Sequence, residues 1–171
     1  MRIIGLAIGL LFGAGVTATL AAEQIRIYSL DKADYIMSEK VEKTEAEWRQ
    51  LLTPLQYKVM REQGTEAAYT SPLHDIKKEG VYRCAGCGLE LFHSDQKYDS
   101  GTGWPSFYAP VDRANVGFET DRKFFITRTE VHCIRCASHL GHVFEDGPKP
   151  TGLRYCLNGV SLIFEEKSAD K

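Results

Sequence analysis

The sequence lacks any excess of positive charge: 21 Lys and Arg stand against 23 Asp and Glu, and no basic block occurs in its 171 residues. That excludes a nucleic-acid partner, since binding to a phosphate backbone draws on clustered cations. The chain is too short for two comfortable domains, so one globular unit with a real core is expected. Internal repeats are missing apart from two short cysteine motifs, and no stretch after Gly80 sustains a helical period. Cysteine is scarce and odd in number, with five in all. Long hydrophobic runs are confined to the N-terminus.

That N-terminal run, MRIIGLAIGLLFGAGVTATLAA, carries Arg2 as its one charge, then apolar residues, then small ones. This is the grammar of a secretory signal, with Thr19 and Ala21 suited to a cleavage site after Ala21. Ile3 to Ala22 is also about twenty residues without a charge, roughly the length of an uncleaved membrane anchor. Either reading of 1–21 sends the folded part out of the cytosol, as a periplasmic or secreted protein or a tethered one facing outward.

Residues 22–43 are polar and mixed and read as a linker or N-terminal extension, with a short alternating piece, Gln24 to Tyr28, that fits a strand equally well. The catalytic domain is placed at 44–166, with a charged tail, frayed from Glu165 on, ending at 171. Thr44-Glu45-Ala46-Glu47 has the form of a capping box, after which Trp48, Leu51 and Leu52 fall on one helical face. Thr53-Pro54 marks a second helix whose stripe of Leu55, Val59 and Met60 ends by Gly64. From Gly80 the texture becomes β-rich. Val81–Cys84, Lys123–Val131 and Gly159–Phe164 all fit strands, so the fold class is mainly β and antiparallel with short N-terminal helices.

Cys84-Ala85-Gly86-Cys87 and Cys133-Ile134-Arg135-Cys136 are two Cys-x-x-Cys motifs, a spacing that presents two thiolates to one tetrahedral ion from the same side. Together they make a four-cysteine structural zinc site, one Zn2+ per chain. Competing readings are two disulfides, a thioredoxin-like redox pair, or three cysteines with His132 or His93. Two tight Cys-x-x-Cys disulfides would leave the lobe's halves unlinked, and the redox pair lacks its usual strand-to-helix setting.

Four cysteines on a metal leave Cys156. In a strand Arg154 and Asn158 share its face, and a cation and an amide beside a thiol are expected to lower its pKa and to hydrogen-bond an oxygen that it attacks. The bland alternative is a small buried hydrophobe. His139 and His142, just past the second motif, are candidate proton donors held by the metal-anchored turn. Trp104 and Phe107, on the turn Gly101-Thr102-Gly103-Trp104-Pro105-Ser106-Phe107, are candidate walls of an apolar pocket, against the alternative of a turn packed on the core.

The order of Cys-x-x-Cys, Ser-Gly-Thr-Gly-Trp-Pro-Ser-Phe, Cys-x-x-Cys, His-Leu-Gly-His-Val-Phe and Gly-Leu-Arg-Tyr-Cys-Leu-Asn-Gly-Val-Ser-Leu resembles methionine sulfoxide reductase B, over about Thr44 to Phe164. The resemblance implies two small antiparallel β-sheets, a zinc remote from the active centre, and reduction of the R epimer of methionine sulfoxide in oxidised proteins, a protein-repair activity of the oxidative stress response. It implies Cys156 as nucleophile leaving as a sulfenic acid, His139 and His142 at the sulfoxide oxygen, Arg154 and Asn158 assisting, and Trp104 against the methyl group. Many members carry a resolving cysteine where this chain has Thr102. The implied reductant is then an external thiol, thioredoxin-like, glutaredoxin-like or glutathione, acting on a monomer.

Overall fold

The computed structural model describes residues 22–123 and 126–168, so the apolar leader, Phe124 and Phe125 and the last three residues lie outside the described residues. Among the described residues no helix is long and apolar enough to cross a membrane.

Two helices stand ahead of the sheets, α1 (Glu45–Leu51) and α2 (Pro54–Met60), and each begins in a capping box. Thr44 accepts from the Glu47 amide and Glu47 returns to the Thr44 amide; Thr53 and Gln56 repeat the exchange. Such reciprocal caps satisfy two orphan donors at once, which lets seven-residue helices persist. The buried face differs from the expected one. Trp48, Leu52, Val59 and Met60 are buried, while Leu51 and Leu55 point to solvent. Helix α1 stops at Leu51, so Leu52 turns inward as an extended C-cap.

The strands are β1 (Gln24–Ser29), β2 (Asp34–Glu39), β3 (Gly80–Cys84), β4 (Glu90–His93), β5 (Lys97–Tyr98), β6 (Ser106–Phe107), β7 (Val116–Lys123), β8 (Ile126–Cys133), β9 (His139–Phe144), β10 (Arg154–Leu157) and β11 (Leu162–Glu166). They form a six-stranded sheet ordered β5-β6-β10-β9-β8-β7, a three-stranded sheet ordered β11-β3-β4, and a separate β1-β2 hairpin; every pairing is antiparallel. The mainly β expectation holds, with the hairpin added to the two sheets. That hairpin occupies the segment read as linker or extension. Buried Asn115 docks it, accepting from the Tyr28 amide at 2.8 Å and donating to the carbonyls of Tyr28 and Glu90.

Three strand expectations need correction. The run Lys123–Val131 is not one strand: Lys123 ends β7 and Ile126 opens β8 in a hairpin, because both flanks are rich in β-formers and carry no turn residue to mark the corner. Gly159–Ser161 forms a 3-10 turn before β11. Glu165 and Glu166, expected to fray, continue β11 against β3. The core lies between the sheets, where Phe92 stacks on Phe107 at 4.6 Å and Tyr82 meets Phe107 edge-on at 4.9 Å.

The two cysteine motifs adopt the same local turn. In each, the residue after the second cysteine donates to the first cysteine's carbonyl, Gly88 to Cys84 at 2.8 Å and Ala137 to Cys133 at 2.9 Å. Both those residues are left-handed, with φ of 76° at Gly88 and 54° at Ala137. A β-carbon there costs about 1–2 kcal/mol, partly offset by the 0.5–1 kcal/mol or so by which glycine's looser unfolded chain weakens folding. Ala137 is exposed and has no packing to lose. Thermal unfolding of Ala137→Gly is therefore expected to show a gain of about 0.5–1 kcal/mol, and of Gly88→Ala, where a β-carbon meets nothing within 4 Å, a similar loss. Equal melting of both variants and wild type would contradict the matched-turn reading.

Candidate active site

One face of the six-stranded sheet gathers the reactive side chains. Directly opposed residues of antiparallel strands share a face, and the register sets Ser106 beside Cys156, Cys156 beside His142, and His142 beside Glu130. Arg154 lies beside Phe144, and Asp121 beside Arg128. The opposite face carries Tyr155, Val143, Val131 and Phe107 into the core. Phe107 is therefore not a pocket wall: it pairs with Tyr155 and is fully buried, one residue out of phase with Ser106.

Cys156 opens into a cavity of about 130 Å³ whose walls include Trp104, Phe144, His142, Arg128, Thr65 and Asn158. The strands can approach closely enough to build it because Gly141 has no β-carbon, which would collide with the Cys156 carbonyl. Trp104 is held from behind, its indole N–H donating to the Glu66 carbonyl at 3.2 Å. The loop before it is clamped by Tyr69, whose amide donates to Gly103 and whose hydroxyl donates to the Gly101 carbonyl. Gly103 has φ of 84°, and a β-carbon on it would lie 2.7 Å from the Tyr69 ring.

His142 Nε2–H donates to Asp121 at 2.9 Å, and the same Asp121 oxygen accepts from Arg128 at 2.6 Å. Burial pushes the His142 imidazole below its usual range despite Asp121, which keeps it neutral at neutral pH. His139 does not line the cavity. Its ring packs edge-on to His142 at 5.3 Å, and its Nδ1 meets Glu130 at 2.6 Å.

Arg154 sits two residues from Cys156 on the same face, as expected, but its guanidinium is already forked onto Asp146 at 2.9 and 2.7 Å and stacked on Phe144. Burial therefore dominates the Cys156 thiol and pushes it up, against the opposing pull of Thr102 and Arg154. The expected lowering is not what the environment produces. Asn158 lines the cavity yet lies beyond β10; its amide accepts from Glu66 N–H and donates to the Leu140 carbonyl, both at 3.0 Å. Its part is to tie the strand end to β9.

Asp121, Arg128, Glu130, Phe144 and Glu66 escaped the sequence reading. The first three sit on β7 and β8, where the missed hairpin corner hid the alternation that puts Glu130 opposite His142 and Asp121 opposite Arg128 on the same face. Glu66 is almost fully buried, and its carboxylate accepts from the amides of Gly159 at 2.6 Å and Val160 at 3.0 Å.

The four remaining cysteines converge, with sulfurs all within 4.8 Å of one another; Cys84 to Cys136 is 3.6 Å and Cys87 to Cys133 is 3.5 Å. Those separations are far longer than the roughly 2.05 Å of a disulfide and close to the ~3.8 Å edge of a tetrahedron with ~2.3 Å metal–sulfur bonds.

The SelR domain model matches residues 52–166. Peptide methionine sulfoxide reductase MsrB of Methanosarcina barkeri is 55% identical over 131 residues, covering 77% of this chain and 92% of that protein. The enzyme of the same name from Thiobacillus denitrificans is 55% identical over 77% of this chain and 99% of its own length, and that from Hahella chejuensis is 52% identical over 77% and 95%. The chain belongs to the methionine sulfoxide reductase B family. The SelR match encloses the cavity and all four clustered cysteines, whereas the β1-β2 hairpin and α1 precede it.

Because burial raises the Cys156 thiol, this family member is expected to hold it mostly protonated at neutral pH. Its rate of alkylation by iodoacetamide, followed peptide by peptide, is predicted to rise with a midpoint above the ~8.5 of a free cysteine. A midpoint below that value contradicts the burial argument.

Proposed function

We propose that the chain reduces the R epimer of methionine sulfoxide in oxidised proteins to methionine, with Cys156 as nucleophile. The observation that carries this reading is the half-buried thiol lining a small cavity together with two apolar rings, Trp104 and Phe144, and two polar side chains, His142 and Arg128. The rings suit the apolar methylthio end of the substrate. The two polar groups suit the sulfoxide oxygen, which gains negative charge as sulfur is attacked.

In this account Cys156 adds to the sulfoxide sulfur while the Arg128 guanidinium hydrogen-bonds the oxygen and neutral His142, its Nε2–H held by Asp121, passes the proton given up by the Cys156 thiol to that oxygen. His139, braced by Glu130, holds the His142 ring edge-on. Arg154 offsets charge near the thiolate, and Asn158 fixes the end of β10. The oxygen passes to Cys156, giving a sulfenic acid and methionine; two equivalents of an external thiol then return Cys156 to the thiol with release of water and a disulfide. Thioredoxin-like proteins or glutathione fit that part. In a separate test of the nucleophile, Cys156→Ser is expected to abolish reduction of the R epimer while leaving unfolding unchanged. Retained turnover overturns the assignment.

The cluster of Cys84, Cys87, Cys133 and Cys136 fits a zinc ion in donor type, number and spacing, and when bound the ion supplies a cross-link rather than chemistry, since all four positions are filled by thiolates. Purified protein is expected to contain about one zinc per chain, and stripping it with a chelator to lower the melting temperature. Metal-free protein with the same melting temperature contradicts this.

The reading also puts the domain outside the cytosol, exported by residues 1–21 or tethered by them, on the strength of their apolar run behind Arg2 and the small residues at its end. A mature N-terminus at Ala22 supports cleavage, and an intact one supports the tether.

A further inference from the structure

A chain of three hydroxyls runs to the Cys156 sulfur. Thr102 Oγ1 lies 3.9 Å from Sγ, Ser100 Oγ is 2.8 Å from Thr102, and Ser106 Oγ is 2.7 Å from Ser100. The far end is fixed, because Ser106 donates at 3.2 Å to the Trp104 carbonyl, which can only accept. Ser106 is fully buried, and β6 holds it directly beside Cys156. None of these hydroxyls has a part in the reaction described above.

The fixed end dictates the polarity of the resting chain. With Ser106 donating to Trp104, Ser100 donates to Ser106, Thr102 to Ser100, and the Cys156 S–H to Thr102. When the thiol loses its proton, rotation of the three hydroxyls alone reverses the order, and Thr102 then donates to the sulfur. The exchange gives up the bond to the Trp104 carbonyl, the longest among the oxygens, and gains one to an anion, which is roughly twice as strong as a neutral one.

We propose that Thr102 is the hydrogen-bond donor that stabilises the Cys156 thiolate, and that Ser100 and Ser106 are positioning residues that let it reverse. This rests on the reading of Cys156 as the nucleophile. The other charged or titratable groups around the sulfur are Arg154 with its partner Asp146, His142 across on β9 with Asp121, Arg128 on β8, and Tyr98 on β5. Arg154 and His142 are engaged by carboxylates, which leaves Thr102 as the neutral group that answers most directly to the charge on sulfur.

The test is the pH profile of Cys156 alkylation by iodoacetamide in the full-length, zinc-loaded chain, read by peptide mass spectrometry. Thr102→Val, equal in shape but without the hydroxyl, is expected to react about tenfold more slowly at a fixed pH below the midpoint, a rise of about one pH unit. Ser100→Ala is expected to shift the midpoint upward by less, and Thr102→Ser to restore the wild-type curve. An unchanged midpoint in Thr102→Val, or an equal shift in Thr102→Ser, overturns the proposal. The readout is independent of turnover, so a failed nucleophile assignment would show instead as sulfoxide reduction surviving in Cys156→Ser.

Discussion

The convergence of four thiols on one point is the constraint from which the rest of the fold follows. Cys84 ends the central strand of the three-stranded sheet and Cys133 ends an interior strand of the six-stranded sheet, so drawing their sulfurs together clasps the two sheets at the ends of those strands. Everything downstream inherits that fixed point. Strand β8 leads into the clasp and β9 leads out of it, which sets the register that puts Glu130 opposite His142 and His142 opposite Cys156. From Cys133 back to Arg128 is five residues of strand, roughly 16 Å, so the cross-link stays out of the cavity while holding its walls.

The second constraint is electrostatic. Nearly every charged group on the reactive face is paired before substrate arrives: His142 and Arg128 share Asp121, His139 faces Glu130, and Arg154 forks onto Asp146. Such preorganisation costs no rearrangement at the moment of reaction. It also leaves the thiol without a cation of its own, and burial then outweighs the partly neutralised Arg154. A protonated resting thiol is consistent with chemistry that needs a proton at the sulfoxide oxygen, because the proton lost by sulfur and the proton gained by oxygen belong to one balanced step.

Much of this was legible in the sequence, where position was set by local spacing. The Cys-x-x-Cys pairs, the capping boxes at Thr44 and Thr53, and the shared face of Arg154 and Cys156 depend on neighbours a few residues apart, and those survive folding unchanged. Residues whose role depends on distant pairing were hidden. Asp121 and Glu130 needed the β7-β8 corner, which no glycine, proline or asparagine marks. Phe107 was misplaced because its phase is fixed by Tyr155 across the sheet, and Asn158 because β10 ends one residue before it. Glu66 had no local pattern at all; its carboxylate is explained only by the amides of a turn some ninety residues later.

The central claim divides five cysteines into four that hold the clasp and one that reacts. It is tested most directly by exposing zinc-loaded protein to excess R sulfoxide without reductant and mapping all five thiols after dimedone treatment. The account predicts about one methionine formed per chain and one dimedone adduct, on Cys156, with the other four unmodified. A disulfide between Cys156 and Cys84, Cys87, Cys133 or Cys136 in the unmodified chain would contradict it, because a cysteine of the clasp would then be the one that resolves the intermediate.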